Sequence, residues 1–211
     1  TFDLTFTYTD DQTGESIKKV KSLKTIGTIT LTKEMVTTGV IDANTGEPVV
    51  LNTGDVEIPE VIMYEGNPRV ITSIGELAFY GNENITSIKM PDTIISIERA
   101  AFEKCSKITG ELRIPNSVTS IGKSAFQECK GFTGSLIIPD TVTSIGEYAF
   151  YGCKGFTGNL IIPDSVTSIE NGAFSNCSGF NGTLTISKSI TSIKSYVFSN
   201  CSNLSSSLII P

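Results

Sequence analysis

The chain has 211 residues, and its 16 basic and 22 acidic side chains give a formal charge of −6. That length can bury a real core in one or two modest domains, and a composition of 39% hydrophobic and 18% charged residues excludes a disordered tail. No run approaches the ~20 apolar residues of a membrane-spanning helix, the mild acidity argues against nucleic acid as a partner, and the lack of any histidine removes the commonest general base and metal ligand.

The strand-forming bias is strong: 27 Ile, 26 Thr and 24 Ser stand against 7 Ala, and β-branched residues favour strands over helices. The chain opens on Thr1 with no initiator methionine or signal peptide, as a processed or engineered N-terminus does. Residues 1–8 alternate as T-F-D-L-T-F-T-Y, which predicts a strand. The run DDQTGES predicts a turn, residues 16–21 a partner strand, and residues 25–32 a third strand. DANTGEP at 42–48 predicts a hairpin turn between strands at 36–41 and 49–51. Together these segments suggest a small antiparallel β unit.

From Ile74 onward the chain repeats. Pro91, Pro115, Pro139, Pro163, Ser187 and Pro211 are spaced by 24 residues. The unit reads P-x-x-V-T-S-I-G-x-x-A-F-x-x-C-x-x-F-T-G-x-L-x-I. An earlier copy, ITSIGELAFYGNENITSIKM, is one residue short, so its step is 23. Five columns on one period define a stacked repeat. Phe79, Phe102, Phe126, Phe150, Phe174 and Phe198 form one column, and Ile85, Ile108, Phe132, Phe156, Phe180 and Leu204 another. Large apolar side chains recurring once per coil predict an internal spine. Ala101, Ala125, Ala149 and Ala173 precede the first column and imply close backbone approach, with Val197 as the departure.

The L-x-I pairs from Leu112–Ile114 to Leu208–Ile210 have the period of two of a strand that ends at the following proline. V-T-S-I predicts a second short extended stretch, and G-F-T-G and P-D-T supply the turns between them. So short a unit buries its apolar face only against its neighbours, and the product is a solenoid. Six coils at ~4.8 Å give a rod of roughly 30 Å.

The segment IPDTVTSIGEYAFYGCKGFTGNLIIPDSVTSI and its copies from Ile74 to Pro211 resemble the BspA-like class of leucine-rich repeats, over about two thirds of the chain. The stretch from Val56, V-E-I-P-E-V-I-M-Y-E-G-N-P-R-V-I-T-S-I-G, resembles the first, incomplete coil of such proteins. The resemblance implies a right-handed horseshoe segment, a surface or secreted location, and adhesion to host matrix proteins or other cells. The 24-residue step departs from the family's more familiar 23, and the extra residue falls in the T-G-x-L turn. The resulting expectation is a mainly β chain. Residues 1–57 form a β-rich antiparallel cap or small β domain, and residues 58–211 form a leucine-rich-repeat solenoid of 23/24-residue coils.

No residue stands out as catalytic, cofactor-binding or metal-binding, and the chain reads as a non-enzyme without cofactor. Cys105, Cys129, Cys153, Cys177 and Cys201 share one column, with Asn82 in that place in the first coil. They read as buried reduced thiols, because equivalent positions in stacked coils point in parallel, a poor geometry for a disulfide, and no zinc ligand set accompanies them. Asp92, Asn116, Asp140 and Asp164 follow the repeat proline, and Lys188 takes that place in the last unit. A Pro-Asp turn explains this column more simply than calcium does.

The middle of the L-x-I strand runs Lys89, Arg113, Ile137, Ile161, Thr185, Ile209, on the face away from the core. It is the candidate binding face; the alternative is that β-branched residues pair well across strands. Tyr80, Tyr148, Tyr151 and Tyr196 are either interface anchors or covers for the edge of the core. The expected partner is a macromolecule, either a host extracellular-matrix protein or another cell surface. A structural spacer and a glycan-binding module are the competing functions. The run Leu208, Ile209, Ile210, Pro211 offers no polar cover. It is read as the sign of a longer protein, with an end-to-end homodimer as the alternative.

Overall fold

The computed structural model describes residues 3–9, 16–22, 27–204 and 208–209, with side chains described for 27–204. The expected turn at 10–15 and the expected ends of the chain at 1–2, 205–207 and 210–211 lie outside the described residues. β1 (Asp3–Thr9) and β2 (Ser16–Ser22) form an antiparallel ladder in the expected register region, with Thr5 opposite Val20.

β3 (Gly27–Leu31) falls where the third strand was expected, but it joins a parallel ladder rather than an antiparallel unit. The next segment departs from expectation. Residues 36–41 are not one strand: α1 (Lys33–Thr38) occupies the first half, and β4 (Val40–Asp42) follows. Thr32 caps α1, its Oγ1 accepting from the Met35 amide at 3.3 Å, and Gly39 ends the helix at φ 82°. One turn and a half is enough to place Val36 in the core. The hairpin turn at 42–48 is present. The Asp42 carboxylate accepts from the amides of Asn44 and Thr45, and β5 (Pro48–Val49) returns antiparallel to β4.

β6 (Gly54–Glu57) supplies one side of an incomplete coil. β7 (Val61–Tyr64) and β8 (Asn67–Ile74) are antiparallel. β8 is the junction of the molecule: it also pairs in parallel with β3, Ile29 opposite Ile71, and hands its Ser73–Ile74 end to the repeat ladder. β9 (Ile85–Lys89) lies parallel to β6. From there each coil contributes one Ser-Ile step: β10 (Ser96–Ile97), β11 (Ser120–Ile121), β12 (Ser144–Ile145) and, after β13 (Leu160–Ile161), β14 (Ser168–Ile169). These steps form one unbroken parallel ladder in strict repeat register. Thr119, Thr143 and Thr167 reinforce it. Each donates both its amide and its hydroxyl to the carbonyl one coil back.

The V-T-S-I stretch is therefore the continuous sheet, and the L-x-I stretch is the fragmentary one. β13 pairs with β15 (Leu184–Thr185), and β15 with β16 (Leu208–Ile209). Arg113 bridges Ile137 alone. The repeat proline sits where a turn begins, the amides of Val118, Val142 and Val166 closing onto the carbonyls of Pro115, Pro139 and Pro163.

Between the two faces the core runs the length of the coils. Phe79, Phe102, Phe126, Phe150, Phe174 and Phe198 stack with successive ring centroids 4.9, 5.3, 5.4, 5.3 and 5.8 Å apart. Phe132, Phe156 and Phe180 form a second stack at 6.0 and 5.9 Å. Edge-on contacts, Phe126 to Phe132 and Phe150 to Phe156, tie the stacks together. Leu31, Val36, Leu51 and Val56 belong to the same core as these rings, so residues 27–57 fold onto the coils.

The glycines of G-F-T-G divide their labour in a way the turn reading misses. The second of them, Gly134 and Gly158, has positive φ, as a turn requires. The first does not. A Cβ on Gly155 would lie 2.1 Å from the Phe132 carbonyl oxygen, so this column is glycine because neighbouring backbones touch there.

Candidate functional site

The cysteine column is structural. Each thiol donates to the phenylalanine carbonyl of the coil before: Cys105 to Phe79 at 3.0 Å, Cys129 to Phe102 at 2.9, Cys153 to Phe126 at 3.0, Cys177 to Phe150 at 3.0 and Cys201 to Phe174 at 3.1. Asn82, in the cysteine place of the first coil, keeps the device by donating from Nδ2 to the Asn52 carbonyl at 3.1 Å. All five thiols are free. Burial pushes Cys105 up to about 12 and holds Cys129, Cys153 and Cys177 above the ordinary thiol range. Such thiols are poor nucleophiles. Cys201 departs from the expectation of full burial, because it is half-buried.

Two aspartates of the column are used by ion pairs. Asp92 meets Arg113 at 3.2 Å, and Asp164 meets Lys188 at 3.2 Å while also accepting from the Lys188 amide. Among the described residues no group of three or more acidic or cysteine side chains is placed to hold a metal ion.

The candidate face is laid out as follows. Lys89, Arg113, Ile137 and Ile161 are exposed and Thr185 is half-buried, whereas Leu112, Ile114, Leu136, Ile138, Leu160 and Ile162 point inward. Strand alternation produces this split. The side chain of Ile209 lies outside the described residues. Ile137 is 71% exposed and Ile161 53%, high values for a large aliphatic side chain. Glu57 belongs to the same column and was not foreseen. It stands opposite Lys89 in the β6–β9 ladder and pairs with it. The signal was present in V-E-I-P, which repeats the L-x-I-P pattern.

The tyrosines do not join this face into one site. Tyr80 stands between Lys33 and Lys104, whose ammonium groups lie 5.8 and 5.3 Å from the ring centre. Tyr148 and Tyr151 meet edge to face at 5.7 Å, and the Tyr148 ring covers Gly172 of the next coil. Tyr196 is 75% exposed. All four flank the A-F segment, away from the L-x-I column.

Two groups of observations now define the class: one parallel ladder stepping once per coil, and a paired ring-and-thiol core repeating every 24 residues. This is a leucine-rich-repeat solenoid. The BspA type leucine-rich repeat region matches residues 67–134 and 132–211 in six copies, and the chain belongs to that family. Repeat proteins of this kind are typically protein-binding, non-catalytic modules.

Three crystal structures share the fold. A leucine-rich repeat protein of T. pallidum is 24% identical at TM-score 0.65, covering 74% of this chain and 70% of that one. A leucine-rich repeat protein of Bacteroides ovatus is 26% identical at TM-score 0.58, over 97% of this chain and 51% of that one. A leucine-rich cell surface protein of Faecalibacterium prausnitzii is 23% identical at TM-score 0.57, over 95% and 53%. The chain thus spans about half the length of the latter two. No curated protein matches it. Among the described residues no helix is long and apolar enough to cross a membrane.

Proposed function

We propose that the chain is a non-enzymatic binding module displayed on a cell surface or secreted, and that it holds a macromolecule on the outer face of its L-x-I column. The observation that carries this reading is the exposure of Ile137 and Ile161, at 71% and 53%, on a rigid coil stack. Adjacent outward isoleucines cost solubility and contribute nothing to the core behind them, and such patches mark interaction sites. The family's usual place on bacterial surfaces and the naming of one structural neighbour as a cell surface protein support the location. In this reading the ligand is a host extracellular-matrix protein or a component of another cell's surface, and the β-rich N-terminal part covers the first coil.

The test is saturable binding to a panel of immobilised matrix and plasma proteins, run beside a glycan array. Binding to a protein on the panel that is lost in the Ile137→Asp/Ile161→Asp double variant is the expected result. Binding confined to glycans, or protein binding indifferent to the double variant, overturns the reading.

A further inference from the structure

Along the L-x-I face the ladder is interrupted among the described residues between Lys89 and Arg113 and again between Ile137 and Ile161. Arg113 bridges Ile137, and Leu160–Ile161 pairs with Leu184–Thr185, but among the described residues no pairing joins Ile137 to Ile161. A groove of about 290 Å3 lies over this seam, lined by Ser135, Ile137, Asp140, Asn159, Ile161 and Pro163 among others. The coils beneath cannot part, because Phe132 and Phe156 remain stacked at 6.0 Å and the Ser-Ile ladder on the other face is continuous. The groove therefore admits a side chain, not a strand.

The charge pattern says which side chain. Two repeats before, the column aspartate Asp92 is met by Arg113, the outward strand position 21 residues on, and the repeat between carries Asn116 in that column. In the coil after, Asp164 is met by Lys188, which lies in the aspartate column itself, the outward strand position there being Thr185. Asp140 lies between them and has the same place in its coil. The outward position that would supply its cation is Ile161, and among the described residues Asp140 has no ion-pair or hydrogen-bond partner. An exposed carboxylate without its cation thus sits at one end of a groove walled by two exposed isoleucines.

We propose that this groove takes an arginine side chain of a partner protein, with the guanidinium on Asp140 and the methylene stem between Ile137 and Ile161. Arginine matches both halves of the groove: an apolar stem for the isoleucines and a fork of donors for the carboxylate. The incoming residue restores the pairing that Arg113 supplies to Asp92 within the chain. The inference rests on the binding-face reading above and adds the chemistry of the partner's anchor.

The experiment titrates the full, isotope-labelled chain with the blocked tripeptide Ala-Arg-Ile and with its citrulline analogue, following amide shifts by NMR at low salt. The expected result is saturable shifts confined to residues 135–140 and 159–163, weakened about tenfold by citrulline or by Asp140→Asn, a loss of the size expected for one charge-assisted contact. Asp140→Asn should fold, since the repeat itself carries Asn116 in that column. No saturable shift, or equal shifts from both peptides, overturns the proposal. The protein panel separates the two claims. A ligand lost with Ile137→Asp but unaffected by Asp140→Asn keeps the binding face and overturns the arginine anchor. Peptide binding that depends on Asp140, beside a panel on which neither variant matters, keeps the anchor and overturns the macromolecular reading.

Discussion

The central coils and the last described coil carry almost the same sequence and are not equally buried. Phe126 and Phe150 are fully enclosed, each stacked on a ring above and a ring below. Phe198 stacks on Phe174 at 5.8 Å and is half-buried, as are Cys201 and Leu204, while Ile193 is 51% exposed. The same letter in the repeat therefore has a different weight depending on its neighbours. Stability in such an array is a sum of coil and interface terms, and the sequence of a single coil does not state how many interfaces it has.

The largest test of this contrast is truncation of the ring spine. Phe150→Ala should cost about 3–5 kcal/mol, the range for removing a buried aromatic side chain, and Phe198→Ala about half of that. Urea titration of both variants measures the difference. Equal costs would mean that the end coil is enclosed as fully as the middle ones.

A second test moves from rings to backbone. Gly155→Ala places a methyl 2.1 Å from the Phe132 carbonyl oxygen. Forcing the coils apart there should cost about 3 kcal/mol, at the upper end of overpacking. Gly110 has φ +80° with open space around it, so Gly110→Ala should cost only about 1–2 kcal/mol of left-handed strain. If the two substitutions cost the same, the first glycine of G-F-T-G is a turn residue after all.

These pairs show what the sequence could and could not tell. The period, the ring column, the buried thiols and the inward-outward alternation at Leu136-Ile137-Ile138 were legible, because each is a side-chain property repeated at fixed spacing. α1 was not, because Val36, Thr37 and Thr38 are poor helix formers; the helix exists because Thr32 caps it and the core takes Val36. Close backbone contact at Gly155 leaves the same letter as a turn. The left-handed positions before each A-F and each Cys, among them Ser124, Tyr148, Lys104 and Glu128, are mostly not glycine, yet Gly81, Gly152, Gly172 and Asn176 in those columns held the clue. The seam between Ile137 and Ile161 was invisible, since a gap in a ladder is a relation between two coils.

Alkali should separate the middle from the end more gently. A thiol neutral in the fold but ionised when unfolded leaves stability untouched below about pH 9, the unfolded value, and withdraws it above. The loss per fully buried thiol is about 1.4 kcal/mol per pH unit, and for Cys105 the window closes near its folded value of about 12. Replacing Cys153 with alanine should make the fall of stability above pH 9 shallower by that slope, and replacing the half-buried Cys201 by less. Denaturation midpoints at a series of pH values, each variant set against the parent, check this, and parallel curves would contradict it.

The smallest effect concerns charge. The Glu147 side chain is 31% exposed, and its Oε2 meets Nζ of Lys123, itself 54% exposed, in the coil before at 2.5 Å. The same place one coil pair earlier holds Arg99 against Glu76, so the central coils are joined by ion pairs where later ones use Asn171 and the Ser195 amide. A pair this open to solvent contributes little, because water screens the attraction and two long side chains must be held still. Glu147→Gln should therefore cost under about 1 kcal/mol at low salt, and the difference should shrink once the ionic strength approaches about 1 M, where the screening length falls to about 3 Å. A cost that is larger, or independent of salt, would show that Glu147 acts through packing between coils, and the charged column would then belong with the rings and thiols as part of what holds the middle of the stack together.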